Sequence, residues 1–288
     1  MSSLGTLSDT LTASSHEPPP LGTRFQLGEQ LSEAQQAHLR CYGFLHFKEV
    51  LSAEEVKLVR DEQDRLQQRW LDEGSRSIHG IPLFGGQGPD GKMLLYRIPF
   101  ASLFSDPLRN LLDDPRFQPL MSLIGDDARV GHDEQDGVVL NRYIRCEGGR
   151  RALGWHTDGL RDLFYLRRPQ EMLNFGLHLD KINAADGGLR LIPGTHRQGI
   201  FSMMFRKPYF ISHRPDRREI AVETEPGDMT VHDGRLWHRV AMNPQLGVER
   251  RSLYVPYQTG PKLEKGRESK PPLYHRLAAW ARRRSGGF

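Results

Sequence analysis

The segment Trp155-His156-Thr157-Asp158 sets an imidazole and a carboxylate two residues apart. Side chains alternate along an extended strand, so His156 and Asp158 share one face. A histidine and a carboxylate on one side can share a cation. They are two of the three ligands of a facial triad that leaves a metal with open positions. The third ligand must be a distant histidine, and residues 226–238 offer His232 and His238. Pro226-Gly227-Asp228 is turn chemistry that opens a strand, and Asp233-Gly234 is a second turn before His238. Past Asn243-Pro244 the chain runs into Arg250-Arg251-Ser252-Leu253-Tyr254-Val255. An arginine on the strand after a metal-binding histidine suits a dicarboxylate held on that metal, because a guanidinium grips a carboxylate through two parallel N–H bonds.

A competing motif fails on its context. Gly86-Gln87-Gly88-Pro89-Asp90-Gly91-Lys92 matches a glycine-rich phosphate loop as far as Lys92. Met93 then stands where a Ser or Thr would hold magnesium, and Pro89-Asp90-Gly91 is a turn. The stretch reads as a surface loop or an active-site lid.

Short elements must carry these residues. Ser32-x-x-Gln35 is a capping box that opens a short helix to about Cys41, ended by Gly43. Phe44-Leu45-His46-Phe47 reads as a strand. Ser52-x-x-Glu55 opens a longer helix with Val56, Val59, Leu66 and Trp70 near one face. Residues 74–95 read as loop and 100–125 as helix. Short strands follow at Val138–Ile144, Leu173–Leu179, Leu189–Ile192, Met229–His232 and Leu253–Tyr257. A helical first third followed by short strands with Gly/Pro turns indicates an α+β architecture with a β-sandwich or jelly-roll core.

The 288 residues are 37% hydrophobic and 26% charged, which supports a full core and excludes global disorder. No apolar run approaches the roughly 18 residues of a membrane span. The first 21 residues hold no Lys or Arg and no apolar stretch of the signal-peptide kind. Two cysteines, Cys41 and Cys146, exclude a disulfide scaffold, and a cytoplasmic location is expected. The net charge of +4 is misleading as a whole-chain figure. From Pro261 onward eight basic residues face two acidic ones, a local +6, so residues 1–260 carry −2. No nucleic-acid partner is expected for such a body. Three regions are expected: a flexible N-terminal tail over 1–28, one domain over 29–260, and a basic C-terminal extension over 261–288. In the last, Tyr274–Arg284 suits a short helix docked on the body.

Taken in order, the motifs carry a resemblance. Gly43-Phe44-Leu45 with Leu51-Ser52-x-Glu54-Glu55-Val56, then His156-x-Asp158, then Asp186-Gly187-Gly188-Leu189 with Pro193-Gly194-Thr195-His196, then Gly227-Asp228, Trp237-His238, Asn243 and Arg250 form four ordered blocks. The chain resembles the phytanoyl-CoA dioxygenase family of Fe(II)- and 2-oxoglutarate-dependent oxygenases over residues 31–258. The resemblance implies a double-stranded β-helix core, of jelly-roll or cupin-like type, with supporting N-terminal helices. It implies iron ligation by His156, Asp158 and His238, with His232 packed beside them, and a structural role for His196. Arg250 then matches the arginine that binds the distal carboxylate of 2-oxoglutarate, with Arg251 as the register alternative. Arg142 stands where relatives place a basic residue near the cosubstrate. Thr157 departs from the Gln of many relatives.

The implied reaction uses Fe(II), 2-oxoglutarate and O2. It couples decarboxylation to succinate to oxidation of a C–H bond, hydroxylation being the usual outcome. A carboxylate at Asp158 argues against halogenation, since halogenating relatives carry a small residue there. The substrate is expected to be a small molecule with an acidic group or a partly apolar body. Arg161, Phe164, Tyr165 and Phe205 are its candidate contacts, drawn from the segments after the metal motif and after Pro-Gly-Thr-His. The alternative is a non-catalytic family member that binds a ligand or partner.

Overall fold

A computed structural model describes residues 17–146, 152–273 and 275–276. The strands are β1 (Phe44–Phe47), β2 (Ser77–Ile78), β3 (Ile81–Pro82), β4 (Phe84–Gln87), β5 (Met93–Ile98), β6 (Arg129–Val130), β7 (Val139–Ile144), β8 (Leu153–His156), β9 (Met172–His178), β10 (Gly188–Leu191), β11 (Ile220–Ala221), β12 (Met229–Asp233), β13 (His238–Ala241) and β14 (Glu249–Gln258). The three longest helices among the described residues are α1 (Glu33–Tyr42), α2 (Ala53–Asp72) and α3 (Asp106–Leu112). The large sheet runs β1-β12-β9-β14-β7-β5-β4, with β6 beside β14, and the small sheet runs β11-β10-β13-β8. Every pairing in both is antiparallel. Helices before two such sheets are the α+β, double-stranded β-helix arrangement expected.

Strand alternation divides the large sheet chemically. One face presents Leu140, Leu173, Phe175, Leu177, Val231, Leu253 and Val255, all buried in the main core with Val59 and Leu66 of α2 and Leu108 of α3. Each such side chain contributes about 1.5–3 kcal/mol by leaving water. The other face presents Asn141, Tyr143, Asn174, His232, Arg250 and Tyr254. A sheet with one apolar face on helices and one polar face turned inward is a scaffold for a site.

Both capping boxes form: Ser32 and Gln35 bond reciprocally, as do Ser52 and Glu55. Gly43 ends α1 in the left-handed region, at φ 82°. Two expectations are corrected. Residues 74–95 are not loop throughout but form β2, β3, β4 and the start of β5, because β4 borrows its order from pairing with β5 rather than from strand-forming residues. The turn between those strands is Gly88–Lys92, closed by Gly88 N–H to Lys92 O at 2.7 Å, as Pro89-Asp90-Gly91 suggests. The helix expected over 100–125 is cut into Ala101–Leu103, α3, Pro115–Phe117 and Gln118–Met121. Pro107, Pro115 and Pro119 each sit in the first turn of a new piece, where a missing N–H costs nothing.

Within the segment assigned to an N-terminal tail, Phe25 bridges Phe47 and joins the edge of the large sheet. Residues 1–16 lie outside the described residues. The start of the C-terminal extension is held to the body, with Lys265 N–H on Asp133 O at 2.7 Å. Most of the helix expected at Tyr274–Arg284 lies outside the described residues. Among the described residues no helix is long and apolar enough to cross a membrane.

Candidate metal centre

The small sheet brings the two histidines together. β13 pairs with β8 so that His238 stands directly opposite His156, and the two rings lie 4.1 Å apart between centroids. Asp158 follows two residues after His156 and turns to the same side. Its Oδ1 lies 4.0 Å from His156 Nε2, and its Oδ2 lies 3.7 Å from His238 Nε2. One potential ligand atom from each of the three falls within 4.8 Å of the others, and all three residues are buried.

Backbone contacts set the histidine tautomers. A carbonyl only accepts, so His156 Nδ1 donates to Gly154 O at 2.8 Å and His238 Nδ1 donates to Leu236 O at 3.0 Å. Each ring is thereby fixed with its Nε2 lone pair free to face the centre. Burial pushes His156 down to about 4. Burial and the neighbouring His156 hold His238 well below the usual imidazole range. Burial alone would raise Asp158, but His238, the His232 hydrogen bond and His156 outweigh it and hold the carboxyl well below its usual range. Two neutral imidazoles and one ionised carboxylate are the protonation states a divalent cation requires.

Two further residues orient the carboxylate. Asn174 Nδ2 donates to Asp158 Oδ2 at 2.8 Å, and His232 Nε2 lies 3.2 Å from the same oxygen. His232 is packed beside the triad rather than part of it. Asn174 has no signature in the sequence, where it is one polar residue in the apolar strand β9. Phe210 stacks on His156 at 4.5 Å, 24° from parallel.

The three candidate arginines separate by strand parity. Arg250 is 3% exposed and points inward with Ser252 and Tyr254. Its Nη2 donates to Ala241 O at 2.9 Å, and its Nε has no partner. Among the described residues no carboxylate pairs with it. Burial pulls its pKa down. Arg251 points the other way, to Asp64 of α2 at 3.0 Å and to Glu249. Arg142 shares that outer face: it pairs with Asp64, and its Nε lies 2.9 Å from Glu249 Oε1. Their own carboxylates thus hold Arg142 and Arg251 on the helix side of the sheet, away from the triad. The Gly187-Gly188 pair has a geometric cause. A Cβ on Gly187 would stand 2.6 Å from Ala241 O, and one on Gly188 would stand 3.1 Å from Arg250 Nη1.

The triad opens into a cavity of about 690 Å³. Arg161 and Phe164, expected from the sequence as substrate contacts, line it. Tyr165 is not among the lining residues, and its hydroxyl lies 3.5 Å from Asp136 Oδ1. Phe205 is 76% exposed at the end of the helix Ile200–Phe205 and does not line the cavity. The same segment instead sends in Tyr209 and Phe210. A helix turn inside that loop reversed which aromatic faces inward.

The family model for phytanoyl-CoA dioxygenase matches residues 39–244. No curated protein matches the sequence. Among solved structures, the non-heme alpha-ketoglutarate-dependent epimerase SnoN from nogalamycin biosynthesis is 20% identical with a TM-score of 0.58, over 82% of this chain and 86% of its own. EvdO2 from Micromonospora carbonacea var. aurantiaca, complexed with 2-oxoglutarate, is 20% identical with a TM-score of 0.55, over 83% of this chain and 95% of its own. EvdMO1 is 20% identical with a TM-score of 0.56, over 79% of this chain, which spans 50% of the length of EvdMO1. At these identities the likeness is one of fold.

Proposed function

The chain belongs to the phytanoyl-CoA dioxygenase family, and from that premise we propose that it is an Fe(II)- and 2-oxoglutarate-dependent oxygenase that hydroxylates a C–H bond of a small molecule. The observation that carries this reading is the inward-facing pair of Nε2 atoms beside the buried Asp158 carboxylate, with one potential ligand atom from each residue within 4.8 Å of the others. That donor set fits a divalent iron. The buried, unpaired Nε of Arg250 fits an incoming carboxylate. EvdO2 is described with 2-oxoglutarate and SnoN as alpha-ketoglutarate-dependent, which agrees with that cosubstrate.

Bound iron supplies the oxygen chemistry coupled to 2-oxoglutarate decarboxylation. The chain's own residues do the positioning. His156, Asp158 and His238 would hold the metal on one side, leaving its other side to the cavity. Asn174 and His232 keep the Asp158 carboxylate in one orientation. Arg250 neutralises and aligns the distal carboxylate of the cosubstrate. Phe210 covers one face of His156 and, with the apolar lining, keeps water from the centre. SnoN, which shares the fold, is described as an epimerase, so the fold by itself does not select hydroxylation.

Anaerobic addition of Fe(II) and 2-oxoglutarate should give a weak visible charge-transfer band that needs both and is absent in His156→Ala. A folded chain that gives no band overturns the reading and leaves a non-catalytic ligand-binding member. Gly188→Ala is expected to raise the 2-oxoglutarate Kd several-fold, because the new methyl would stand 2.8 Å from Ile182 Cγ2 and 3.1 Å from Arg250 Nη1 and must displace one or both. It also places alanine at φ 82°, at a cost of about 1–2 kcal/mol. Calorimetric titration of 2-oxoglutarate and a thermal melt check both parts. An unchanged Kd would mean that the methyl is accommodated by Ile182 without moving the Arg250 guanidinium.

A further inference from the structure

The register of β7 against β14 orders the polar groups on the cavity floor. Tyr143 stands opposite Arg250, whose guanidinium carbon lies 5.7 Å from the centre of the Tyr143 ring, so the proposed function gives this end to the cosubstrate. Two residues back along β7, Asn141 stands opposite Ser252, and the next inward pair is Val139 with Tyr254. Asn141 and Tyr254 are thus diagonal neighbours across two strands, about 7–8 Å apart at the backbone, close enough for one ligand group to meet both side chains. Both line the cavity. Asn141 is 9% exposed. Among the described residues, neither its carboxamide nor the Tyr254 hydroxyl has a hydrogen-bond partner. The Tyr254 ring has a built seat. It lies against Gly176, its register partner on β9, where a Cβ would stand 3.0 Å from Cε1 and 3.1 Å from Cζ. Burial pushes the Tyr254 hydroxyl far above the usual phenol range, so it stays protonated and can both donate and accept. The Asn141 carboxamide can also do both.

The rest of the lining offers an ionised ligand little. Outside the triad, the charged lining residues are Arg97, Arg161 and Asp136, and both guanidinium groups are paired with that one carboxylate. An ion entering beside Asn141 and Tyr254 would give up its water without a free counter-charge. Phe164, Tyr209 and Phe210 add ring surface, and Val139, Met172 and Val240 add aliphatic surface. Flat apolar walls around two unmet hydrogen-bonding groups select a molecule with an apolar ring body and an uncharged polar group.

We propose that Asn141 and Tyr254 are substrate-binding residues that together take a hydroxyl group on an uncharged substrate, whose flat apolar body fills the rest of the cavity. This rests on the oxygenase reading of the same cavity and names the substrate class for it. Gly176 is a positioning residue: it leaves the room in which the Tyr254 ring lies.

The test uses the full chain loaded with Fe(II) and 2-oxoglutarate without oxygen, and three fluorescent probes on one flat frame: 1-pyrenemethanol, 1-methylpyrene and 1-pyrenecarboxylate. Protein is titrated into each probe, and fluorescence anisotropy gives the Kd. The alcohol should bind with a Kd at least about fivefold below that of the methyl compound, which strips water from the two polar groups and leaves them unpaired. Its Kd should also lie at least about tenfold below that of the carboxylate. Tyr254→Phe keeps the ring against Gly176 and removes only the hydroxyl, and Asn141→Leu keeps the volume of the side chain. Each should bring the alcohol and methyl Kd values to within about twofold of each other. A merely structural role would weaken both probes together and leave their ratio as in the native chain, which overturns the proposal. So do a carboxylate bound as tightly as the alcohol, equal Kd values for alcohol and methyl compound in the native chain, and no binding of any probe. A raised 2-oxoglutarate Kd with an unchanged probe ratio would assign the side chain to the cosubstrate and overturn it equally. If Asn141→Leu does not fold, Tyr254→Phe still decides it. Failure of the oxygenase reading is seen separately, as no charge-transfer band in the native chain before any probe is added.

Discussion

Replacing His156 or His238 by alanine is expected to abolish succinate formation from 2-oxoglutarate while leaving a folded chain. Losing a partner that merely orients a metal ligand costs about 10–100-fold in affinity or activity, and losing a ligand itself should exceed the upper end of that range. The two substitutions should act alike, since the rings are cross-strand partners in β8 and β13 and each has its Nδ1 tied to a backbone carbonyl. Neither ring holds the sheets together. The pairing of β13 with β8 and β10 is made by the backbone, and the main apolar core lies on the far side of the large sheet. The far-ultraviolet circular dichroism should therefore persist, with a melting temperature lowered only by the lost ring contacts (to Tyr209, Phe210 and His238 for His156, to His156 and His232 for His238) and one lost bond to a backbone carbonyl. Succinate measured by chromatography after a fixed time, with iron content of each variant, checks the prediction. Full turnover in either variant would remove that residue from the centre. Retained iron with lost turnover would mean that the histidine serves the reaction but not the metal.

What could be read ahead of the structure follows the distance over which each signal acts. His156 and Asp158 declare themselves because two residues of one strand share a face. His238 needs the further inference that a second strand runs beside the first, and the ordered motifs carry it. Asn174 declares nothing, because its contact with Asp158 arises only when β9 settles into the large sheet facing the small one. The same holds for Tyr254, which enters the cavity from β14, whereas Tyr209 and Phe210 come from the segment after Pro-Gly-Thr-His that was expected to line it. Arg142 is the instructive miss. Its neighbours in alternation, Leu140 and Ile144, are buried and apolar, so parity places Arg142 on the helix-facing side, where Asp64 of α2 receives it. That parity was present in the sequence, but it becomes informative only once the helix-covered face is known. Residues 74–95 hide their strands from the sequence for a related reason. Gly85 and Gly86 have no strand preference of their own, and pairing with β5 overrides propensity.

Parity also places the two arginines of the adjacent pair on opposite faces of the sheet, and Arg250→Ala is the substitution that tests which of them holds the cosubstrate. Arg250 is buried, has no carboxylate partner among the described residues, and keeps an unpaired Nε. A guanidinium in that condition costs free energy until an anion arrives. Truncating one side of a buried, hydrogen-bonded charge pair costs about 2–5 kcal/mol, so the 2-oxoglutarate Kd should rise roughly 30-fold to a few thousand-fold. The cosubstrate-free chain should lose little stability in Arg250→Met, which fills the space of the side chain and removes an uncompensated charge. Ligand linkage gives a second readout: a ligand that binds only the folded state stabilises it by RT ln(1 + [L]/Kd), so the rise in melting temperature that 2-oxoglutarate gives the iron-loaded native chain should shrink in both Arg250 variants at the same ligand concentration. Arg251→Ala should do the reverse. It breaks partly exposed pairs with Asp64 and Glu249, worth about 0–1 kcal/mol, and should leave the Kd within about twofold. Loss of the 2-oxoglutarate shift in Arg251→Ala, with Arg250→Ala unaffected, would mean that the cosubstrate is held from the helix side of β14. That outcome would also move the metal reading off the inner face of the sheet, because a dicarboxylate bound there could not reach His156, Asp158 and His238.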